Sequence, residues 1–237
     1  MGLYAVWHNA FLPIFAFFKL YNKSFLKTPT MNYRYFIANK PYNVICQFTP
    51  DNEGQKTLAD LNFTFPKDVY AIGRLDLDSE GLLLLTSDRS LNHRLLNPQF
   101  AHERTYLAQV EDIITEKALQ QLREGVDIKI DKKIHHTLPA KARIIVDPSV
   151  YFNGNAIWER EPPAKASGNK PMSWVEIMLT EGKNRQVRRM CAKVGHACLR
   201  LIRVKIEDLT LGNLGVNDVK ELSKKEMYQL LDLNENM

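Results

Sequence analysis

Three carboxylates lie close together in residues 73–81, which read GRLDLDSEG and run into four leucines. Asp76, Asp78 and Glu80 have the spacing of the first ligands of a calcium-binding loop. Such a loop needs a bidentate Glu at its twelfth position, which here is Ser87, and leucines fill its middle. We therefore expect no calcium site. An unperturbed Asp has a pKa of about 3.9, so an acid in this turn is ionised at neutral pH and could act as a nucleophile or a base.

A second segment is strongly basic. Residues 183–205 contain eight Lys or Arg residues and no acid, whereas the whole chain carries a formal charge of only +5. The apolar spacing of Val187, Met190, Cys191 and Val194 predicts a helix whose inner face is apolar. On an ordinary solvated helix face, Glu would be interspersed with Lys. A local patch without acids instead predicts binding to a polyanion such as a nucleic-acid backbone.

Other polar motifs do not match metal, nucleotide or hydrolase sites. Cys191, His196 and Cys198 have no zinc-finger spacing and lack a fourth ligand. Gly182-Lys183 lacks the upstream Gly and the following Ser or Thr of a phosphate-binding loop. The chain has no G-x-S-x-G pattern of a serine hydrolase. The sequence therefore predicts neither a metal nor a cofactor.

Strands outnumber helices among the elements that must position these segments. They do not alternate as βαβ units, which predicts an α+β fold with a largely antiparallel sheet. Asp78 is expected in a turn and Asp88 at a helix N-cap, and Trp158 and Trp174 in the core. Residues 148–171, with two consecutive prolines, are predicted to be a long loop or insertion. The predicted strands are residues 33–37, 42–47, 69–72, 81–86, 105–110, 140–146, 174–179 and 199–206, and the predicted helices are residues 57–61, 87–96, 115–123, 184–194 and 223–231.

The composition is that of a globular protein. With 237 residues, 45% hydrophobic and 25% charged, the chain is long enough for one or two domains and is neither fibrous nor disordered. Three cysteines cannot form a disulfide framework, which predicts a reducing compartment and hence the cytoplasm. Residues 3–20 are apolar, but Pro13 interrupts them and no Lys or Arg precedes them, so we expect neither a membrane span nor a signal peptide. We expect residues 1–30 to be a loose extension, with a peripheral membrane anchor as the alternative, and residues 31–237 to be one catalytic domain.

The two segments together resemble one enzyme family. Residues 73–88 (GRLDLDSEGLLLLTSD), 181–190 (EGKNRQVRRM) and 199–203 (LRLIR) are similar to motifs of the small-subunit-type branch of the bacterial rRNA pseudouridine synthases. Residues 104–107 (RTYL) are similar to a third motif, in which Lys is more usual than Arg104, and Asn39-Lys40-Pro41 also fits. Residues 157–163 and 173–174 resemble the E-type large-subunit group within that branch. The resemblance covers roughly residues 35–214.

The resemblance implies a fold and an activity. The fold is a mixed, largely antiparallel central sheet flanked by helices, with two subdomains and the active-site cleft between them. Most members of the branch carry an N-terminal S4-type RNA-binding domain, which we expect to be absent here, as in the E-type group, and we expect a monomer. The implied activity converts a specific uridine in large-subunit (23S) rRNA to pseudouridine without a metal or cofactor.

The resemblance also implies roles for individual residues. Asp76 matches the catalytic carboxylate, Tyr106 the aromatic ring that stacks on the uracil, and Arg188 the cation beside the carboxylate. Leu201 matches an apolar contact under the ring. Arg74 matches either a wedge that fills the place of the flipped base or a phosphate contact. Further RNA contacts are expected from Lys183, Asn184, Arg185, Arg189 and Arg203.

Several alternatives remain open from the sequence. The same chemistry could act on small-subunit rRNA or tRNA, because target choice depends on shape and on the insertion at residues 148–171. A non-catalytic RNA-binding or ribosome-assembly factor could retain the fold, although such a protein would be expected to lose Asp76 or Tyr106. Whether Asp76 attacks the sugar C1′ or removes the C2′ proton to give a glycal is also open.

Overall fold

A computed structural model of the protein describes residues 32–234. The expected extension at residues 1–30 lies outside the described residues. The described residues from Tyr33 onward pack as one compact unit. The strands are β1 (Tyr35–Lys40), β2 (Tyr70–Ala71), β3 (Ser79–Thr86), β4 (Arg104–Glu111), β5 (Asp127–Ile130), β6 (Lys133–His136), β7 (Lys141–Ile145), β8 (Met172–Leu179), β9 (Cys198–Ile206), β10 (Leu209–Thr210) and β11 (Val219–Leu222), and the α-helices are α1 (Arg89–Leu96), α2 (Glu116–Glu124), α3 (Gln186–Lys193) and α4 (Lys224–Leu230).

One large mixed sheet forms the body of the fold. Its strand order is β11-β1-β3-β9-β4-β8-β7, with β2 paired to β3 and β10 to β9. The central pair β3 and β9 is parallel, whereas the other paired strands of this sheet are antiparallel. The predicted α+β class with a largely antiparallel sheet is therefore confirmed. The parallel pair matters for function because it brings the acidic turn before β3 next to the basic segment that leads into β9.

The sheet carries separate hydrophobic cores. Alternation along β3 assigns Leu82 and Leu84 to one core and Leu83 and Leu85 to another, as expected for a strand buried on both faces. A further core packs α2 and α3 onto β4 and β8. The sequence led us to expect two subdomains, whereas the described residues from Tyr33 onward form one compact unit whose three cores share one continuous sheet. The cleft described below is lined by members of two of these cores.

Local sequence signals explain how the helices begin. Asp88 is the N-cap of α1, as predicted, and its carboxylate also accepts hydrogen bonds of 2.9 Å from the buried hydroxyls of Tyr35 and Tyr228. Thr115 caps α2, and Ser223 and Glu226 form a capping box at α4. These caps fix the helix starts at the positions that the sequence predicts within one or two residues.

Two local predictions are wrong. Residues 42–47 form no strand, because Asn43 N–H donates to the carbonyl of Leu77 and Ile45 N–H to that of Lys56, so the segment packs as a loop beside the acidic turn. The hairpin of β5 and β6 was not predicted. β5 alternates polar and apolar residues, with Ile128 buried, but it has only four residues, and in β6 the one apolar residue, Ile134, is exposed. The periodic signal is therefore short and confined to one of the two strands.

The predicted insertion connects β7 to β8. Pro148–Phe152 forms a 3₁₀ helix, and irregular backbone follows up to residue 171. Trp158 and Trp174 both pack against the core, as expected. In the described part of the chain, no helix has the length and apolar character that a membrane crossing requires.

Candidate active site

A cleft of about 550 Å³ opens where the acidic turn, β4 and the loop before α3 converge. Eight of the ten residues assigned from the sequence line it. Arg188 and Arg189 are the two that do not. The residues that line it are Arg74, Asp76, Tyr106, Lys183, Asn184, Arg185, Leu201 and Arg203.

Asp76 lies in the turn between β2 and β3, with its side chain 31% exposed. Its backbone carbonyl accepts from Ser79 N–H at 3.0 Å, which closes the turn at the start of β3. Its carboxylate accepts no hydrogen bond from a described residue, and the nearest cation is Arg185, with Nη1 3.8 Å from Oδ2. The carboxylate therefore faces the cleft without a hydrogen-bond partner from residues 32–234.

Asp78, two residues later, is fully engaged. Arg185 donates to both of its carboxylate oxygens at 2.8 and 2.7 Å, and Arg188 Nε lies 3.4 Å from Oδ2. Burial alone would raise the pKa of Asp78, but the hydrogen bonds from Arg185 and the charge of Arg188 outweigh it, so the pKa is lowered. Asp78 is thus more than a turn residue: it anchors the basic loop to the acidic turn.

The direct pairing of Arg188 with Asp76 that the resemblance implies is not what the structure shows. Arg188 Nη2 donates to the backbone carbonyl of Asp78 at 2.6 Å, and Nη1 donates to the carbonyl of Cys198 at 3.0 Å. The reason is geometric: the turn presents a carbonyl and a carboxylate of Asp78 to α3, and the cation that reaches Asp76 is Arg185. Arg188 holds the turn rather than the carboxylate.

Tyr106 and Leu201 line the same cleft as Asp76. Tyr106 lies on β4 and pairs in register with Arg203, while Leu201 pairs with Ser79 across the parallel strands. Leu201 is buried and Tyr106 is half-buried, and both line the cleft. An apolar side chain and a phenol beside one carboxylate provide a flat, mostly apolar surface on which a pyrimidine ring could stack.

The basic segment divides into exposed and buried parts. Arg74, Lys183, Asn184 and Arg185 are exposed at the cleft. Arg203, which we expected to contact phosphates, is only 4% exposed, and its Nε donates to the carbonyl of Leu82, so it ties β9 to β3.

Arg189 is also held by the protein. Its guanidinium donates to the Lys129 carbonyl on β5 and to Asn184 Oδ1, and it thereby joins the hairpin to the loop before α3. The basic segment is therefore not a uniform polyanion surface, because part of it holds the fold together.

Three further residues near the cleft were given no functional role from the sequence. Glu80 is fully buried and pairs with Arg200. Arg104 lines the cleft and donates to the carbonyls of Leu95 and His102. Lys40 is buried behind the turn and donates to the carbonyls of Pro41 and Val44. The partners of Glu80 are remote in sequence and only the sheet topology could have revealed them. Lys40 and Arg104 instead bond to carbonyls within four and nine residues, respectively.

The described residues include no group of three His, Cys, Asp or Glu side chains that could hold a metal ion. The cleft itself is lined by two carboxylates, Asp76 and Glu181. Glu181 is occupied by Leu138 N–H and by the side chains of His135 and Gln186. Asp76 is consequently the one carboxylate among the described residues of the cleft that is available to a ligand.

Comparisons with known proteins agree with this geometry. Residues 34–193 match the model of the RNA pseudouridylate synthase family. The chain is 45% identical over 191 residues to ribosomal large subunit pseudouridine synthase E of Vibrio parahaemolyticus, covering 81% of this chain and 74% of that protein. It is likewise 45% identical over 179 residues to the protein of the same name from Xanthomonas axonopodis pv. citri, covering 75% and 88%.

A solved structure supports the same conclusion. A crystal structure of a pseudouridylate synthase superimposes with a TM-score of 0.64 at 29% identity, covering 84% of this chain and 74% of that one. The family resemblance drawn from the motifs is therefore confirmed, and so is the fold. This chain belongs to the RNA pseudouridylate synthase family, whose members are isomerases.

Proposed function

We propose that this pseudouridine synthase modifies a uridine in large-subunit rRNA and that Asp76 is its catalytic carboxylate. The observation that carries the assignment is a contrast between carboxylates. Glu181, which lines the cleft, and Asp78, two residues after Asp76 in the acidic turn, accept hydrogen bonds from protein donors, whereas the Asp76 carboxylate lines the cleft and accepts none from a described residue. A nucleophile or base must be free to reach the substrate. Arg185 Nη1 lies 3.8 Å from Oδ2 of Asp76 and places a positive charge beside it without occupying its lone pairs in a hydrogen bond.

The reaction requires the target nucleotide to leave its base stack. The N1–C1′ bond breaks, the base turns, a C5–C1′ bond forms, the C5 proton is lost and N1 is protonated. Atoms and electrons balance within the substrate, so the isomerisation consumes no redox partner and no cofactor. Asp76 begins the reaction either by attacking C1′ or by removing the C2′ proton. Deuterium at C2′ would slow only the second route, because only that route breaks the C2′–H bond.

The surrounding residues take complementary roles in this proposal. Tyr106 and Leu201 contact the uracil ring, and the Tyr106 hydroxyl assists proton transfer at C5. Arg74, Lys183 and Arg185 face the backbone of the RNA, whose phosphates they attract. Arg188 acts indirectly, by holding the turn that carries Asp76.

The target follows from the relatives rather than from the cleft. The Vibrio and Xanthomonas proteins are named for the large ribosomal subunit, and their identity to this chain is 45%. We propose the same RNA here, with the enzyme acting as a monomer in the cytoplasm without a metal. Small-subunit rRNA or tRNA would use the same cleft and is the competing target. A non-catalytic assembly factor is disfavoured because Asp76 and Tyr106 are both present and share the cleft.

Tritium release from RNA labelled at C5 of uridine tests the catalytic assignment. Asp76→Asn should abolish release while RNA affinity stays within about twofold, because the amide keeps the shape and loses the charge. Asp78→Asn lies in the same turn and should retain measurable release, since Asp78 holds Arg185 rather than the substrate. Release by Asp76→Asn at the wild-type rate would overturn the assignment.

Mapping of pseudouridine in ribosomal RNA tests the target. A strain that lacks the protein should lose one or a few modified positions in large-subunit rRNA, and the wild-type chain but not Asp76→Asn should restore them. Loss confined to small-subunit rRNA or tRNA would support the competing target.

A further inference from the structure

Glu80 is a fully buried carboxylate that lies four residues after Asp76, and three protein donors hold it. Arg200 Nε and Nη2 donate to its two oxygens at 2.8 Å each, and Trp158 Nε1 donates to Oε2 at 2.7 Å. Glu80 is 0% exposed and Arg200 is 7% exposed. Removing two such charges from water costs several kcal/mol per ion unless their geometry is good. The arrangement satisfies that condition, since Arg200 binds Glu80 through both oxygens.

The third donor comes from the insertion. Residues 148–171 leave the edge strand β7, and Trp158 reaches β3 in the middle of the sheet, four strand positions away, or roughly 19 Å at about 4.8 Å per strand. The segment is fastened there more than once. Arg200 Nη2 donates to the Trp158 carbonyl at 2.9 Å, and Arg160 Nη1 donates to the Leu199 carbonyl at 3.2 Å. The insertion is therefore tied to β3, which follows the acidic turn, and to its parallel neighbour β9.

Glu80 connects this network to the turn. Successive residues of a strand point to opposite faces, so Ser79 and Glu80 lie on opposite sides of β3. Ser79 lines the cleft, and its N–H closes the turn by donating to the Asp76 carbonyl. On the other side of β3, Trp158 and Arg200 donate hydrogen bonds to the Glu80 carboxylate. The start of β3 is thus clamped from behind at the point where the turn that bears Asp76 ends.

We propose that Trp158 is a positioning residue, which acts through Glu80 to fix the Asp76 carboxylate relative to Tyr106. This inference rests on the proposed catalytic role of Asp76. The insertion then has a role in the chemical step, because its indole N–H limits the freedom of the β3 start. A displacement of about 1 Å at a reacting group can cost about a hundredfold in rate, so loosening the clamp should slow the reaction and leave RNA binding unchanged.

The test is Trp158→Phe, which keeps an aromatic ring near Phe152 and Arg200 and removes the N–H donor together with the five-membered ring of the indole. Trp174→Phe is the matched control, because Trp174 is also half-buried against the same core and donates no hydrogen bond to Glu80. We expect Trp158→Phe to lower the single-turnover rate at saturating RNA about tenfold or more. Its KM should stay within twofold of wild type, and its melting temperature should match that of Trp174→Phe, whose rate should be unchanged.

A second variant guards against a simple loss of stability. Glu80→Leu with Arg200→Met removes both buried charges together, which often preserves folding. This variant should show the same fall in rate at unchanged KM.

The outcomes separate this inference from the proposed function. If Asp76→Asn is inactive while Trp158→Phe and Trp174→Phe have equal rates, the positioning role is overturned and the proposed function stands. If Trp158→Phe changes only KM or the melting temperature, the positioning role is also overturned. If Asp76→Asn releases tritium at the wild-type rate, the proposed function fails, whatever Trp158→Phe does.

Discussion

Arg188 on α3 donates a 2.6 Å hydrogen bond to the backbone carbonyl of Asp78, two residues beyond Asp76. Its other terminal nitrogen donates to the Cys198 carbonyl at the start of β9. One guanidinium thus joins the helix, the turn that bears the available carboxylate, and the strand that carries Leu201. A planar fork of donors can span two carbonyls in this way, whereas an ammonium is a single point of charge.

We therefore expect Arg188→Lys to lower the single-turnover rate about a hundredfold with little change in RNA affinity, because one ammonium nitrogen cannot occupy the separate positions of the two guanidinium nitrogens that donate here. Tritium release and filter binding measure the two quantities. Arg123→Lys is the control, since Arg123 also bridges a carbonyl, that of Ala142, and a carboxylate, that of Glu116, but lies on α2. A wild-type rate for Arg188→Lys would show that the turn does not need this anchor.

Arg185 is exposed and lies at the cleft, so we expect its replacement to affect RNA affinity. Arg185→Gln should weaken RNA binding and reduce the slope of log affinity against log salt by about 0.7 to 0.9, the contribution of one phosphate. Its ion pair with Asp78 is solvent-accessible, so the free energy of unfolding should fall by no more than about 1 kcal/mol.

The control for Arg185 is Arg34→Gln. Arg34 forms an equally exposed two-pronged pair with Glu221, where β1 meets β11 at the far edge of the sheet. The Arg34→Gln substitution should change neither the RNA affinity nor its dependence on salt concentration. Equal salt slopes for Arg185→Gln and wild type would contradict a phosphate contact.

These sites also show which features the sequence could predict. The inward stripe of α3 and the cap at Asp88 were predicted and are confirmed, because each depends on residues within one or two helical turns. The partners of Glu80 are 78 and 120 residues away, and no local pattern records them.

The basic segment gives the same lesson. Its composition predicts one positive surface, but the position of β9 inside the sheet buries Arg200 and Arg203 and turns them into internal anchors. Only the strand order determines which cations face water. The contact of Arg188 with Asp78 rather than Asp76 has the same origin, since it depends on how the turn curves toward α3.

Gly81 gives a stability prediction at the centre of the sheet. Its φ is +100°, and a Cβ there would lie 2.3 Å from the carbonyl oxygen of Arg203 on the neighbouring strand. Gly81→Ala should lower the free energy of unfolding by about 3 kcal/mol or more, because both the backbone conformation and the strand spacing must change. Urea unfolding measures the loss.

The control is Gly154→Ala. Gly154 has a φ of +84° with open space where the new Cβ would lie, so this substitution should lower the free energy of unfolding by only about 1 kcal/mol. Equal losses would show that the strand contact is not the limiting factor.

Because Lys40 is buried, we expect the free energy of unfolding to rise at alkaline pH. Burial lowers the pKa of its ammonium group from 10.5 to about 8, although Nζ donates to two carbonyls. Between pH 8 and about 10.4 the unfolded chain therefore binds more protons than the folded one, and the free energy of unfolding increases with pH. The gain should level off near 3 kcal/mol, since each unit of pKa shift corresponds to about 1.4 kcal/mol. Below pH 8 the ammonium group is protonated in both states, so it adds nothing to the pH dependence of the free energy of unfolding.

Urea unfolding at pH 7, 8, 9 and 10, compared with Lys40→Met, isolates this group from others that titrate. Wild-type and variant curves that stay parallel across this range would contradict a lowered pKa for Lys40.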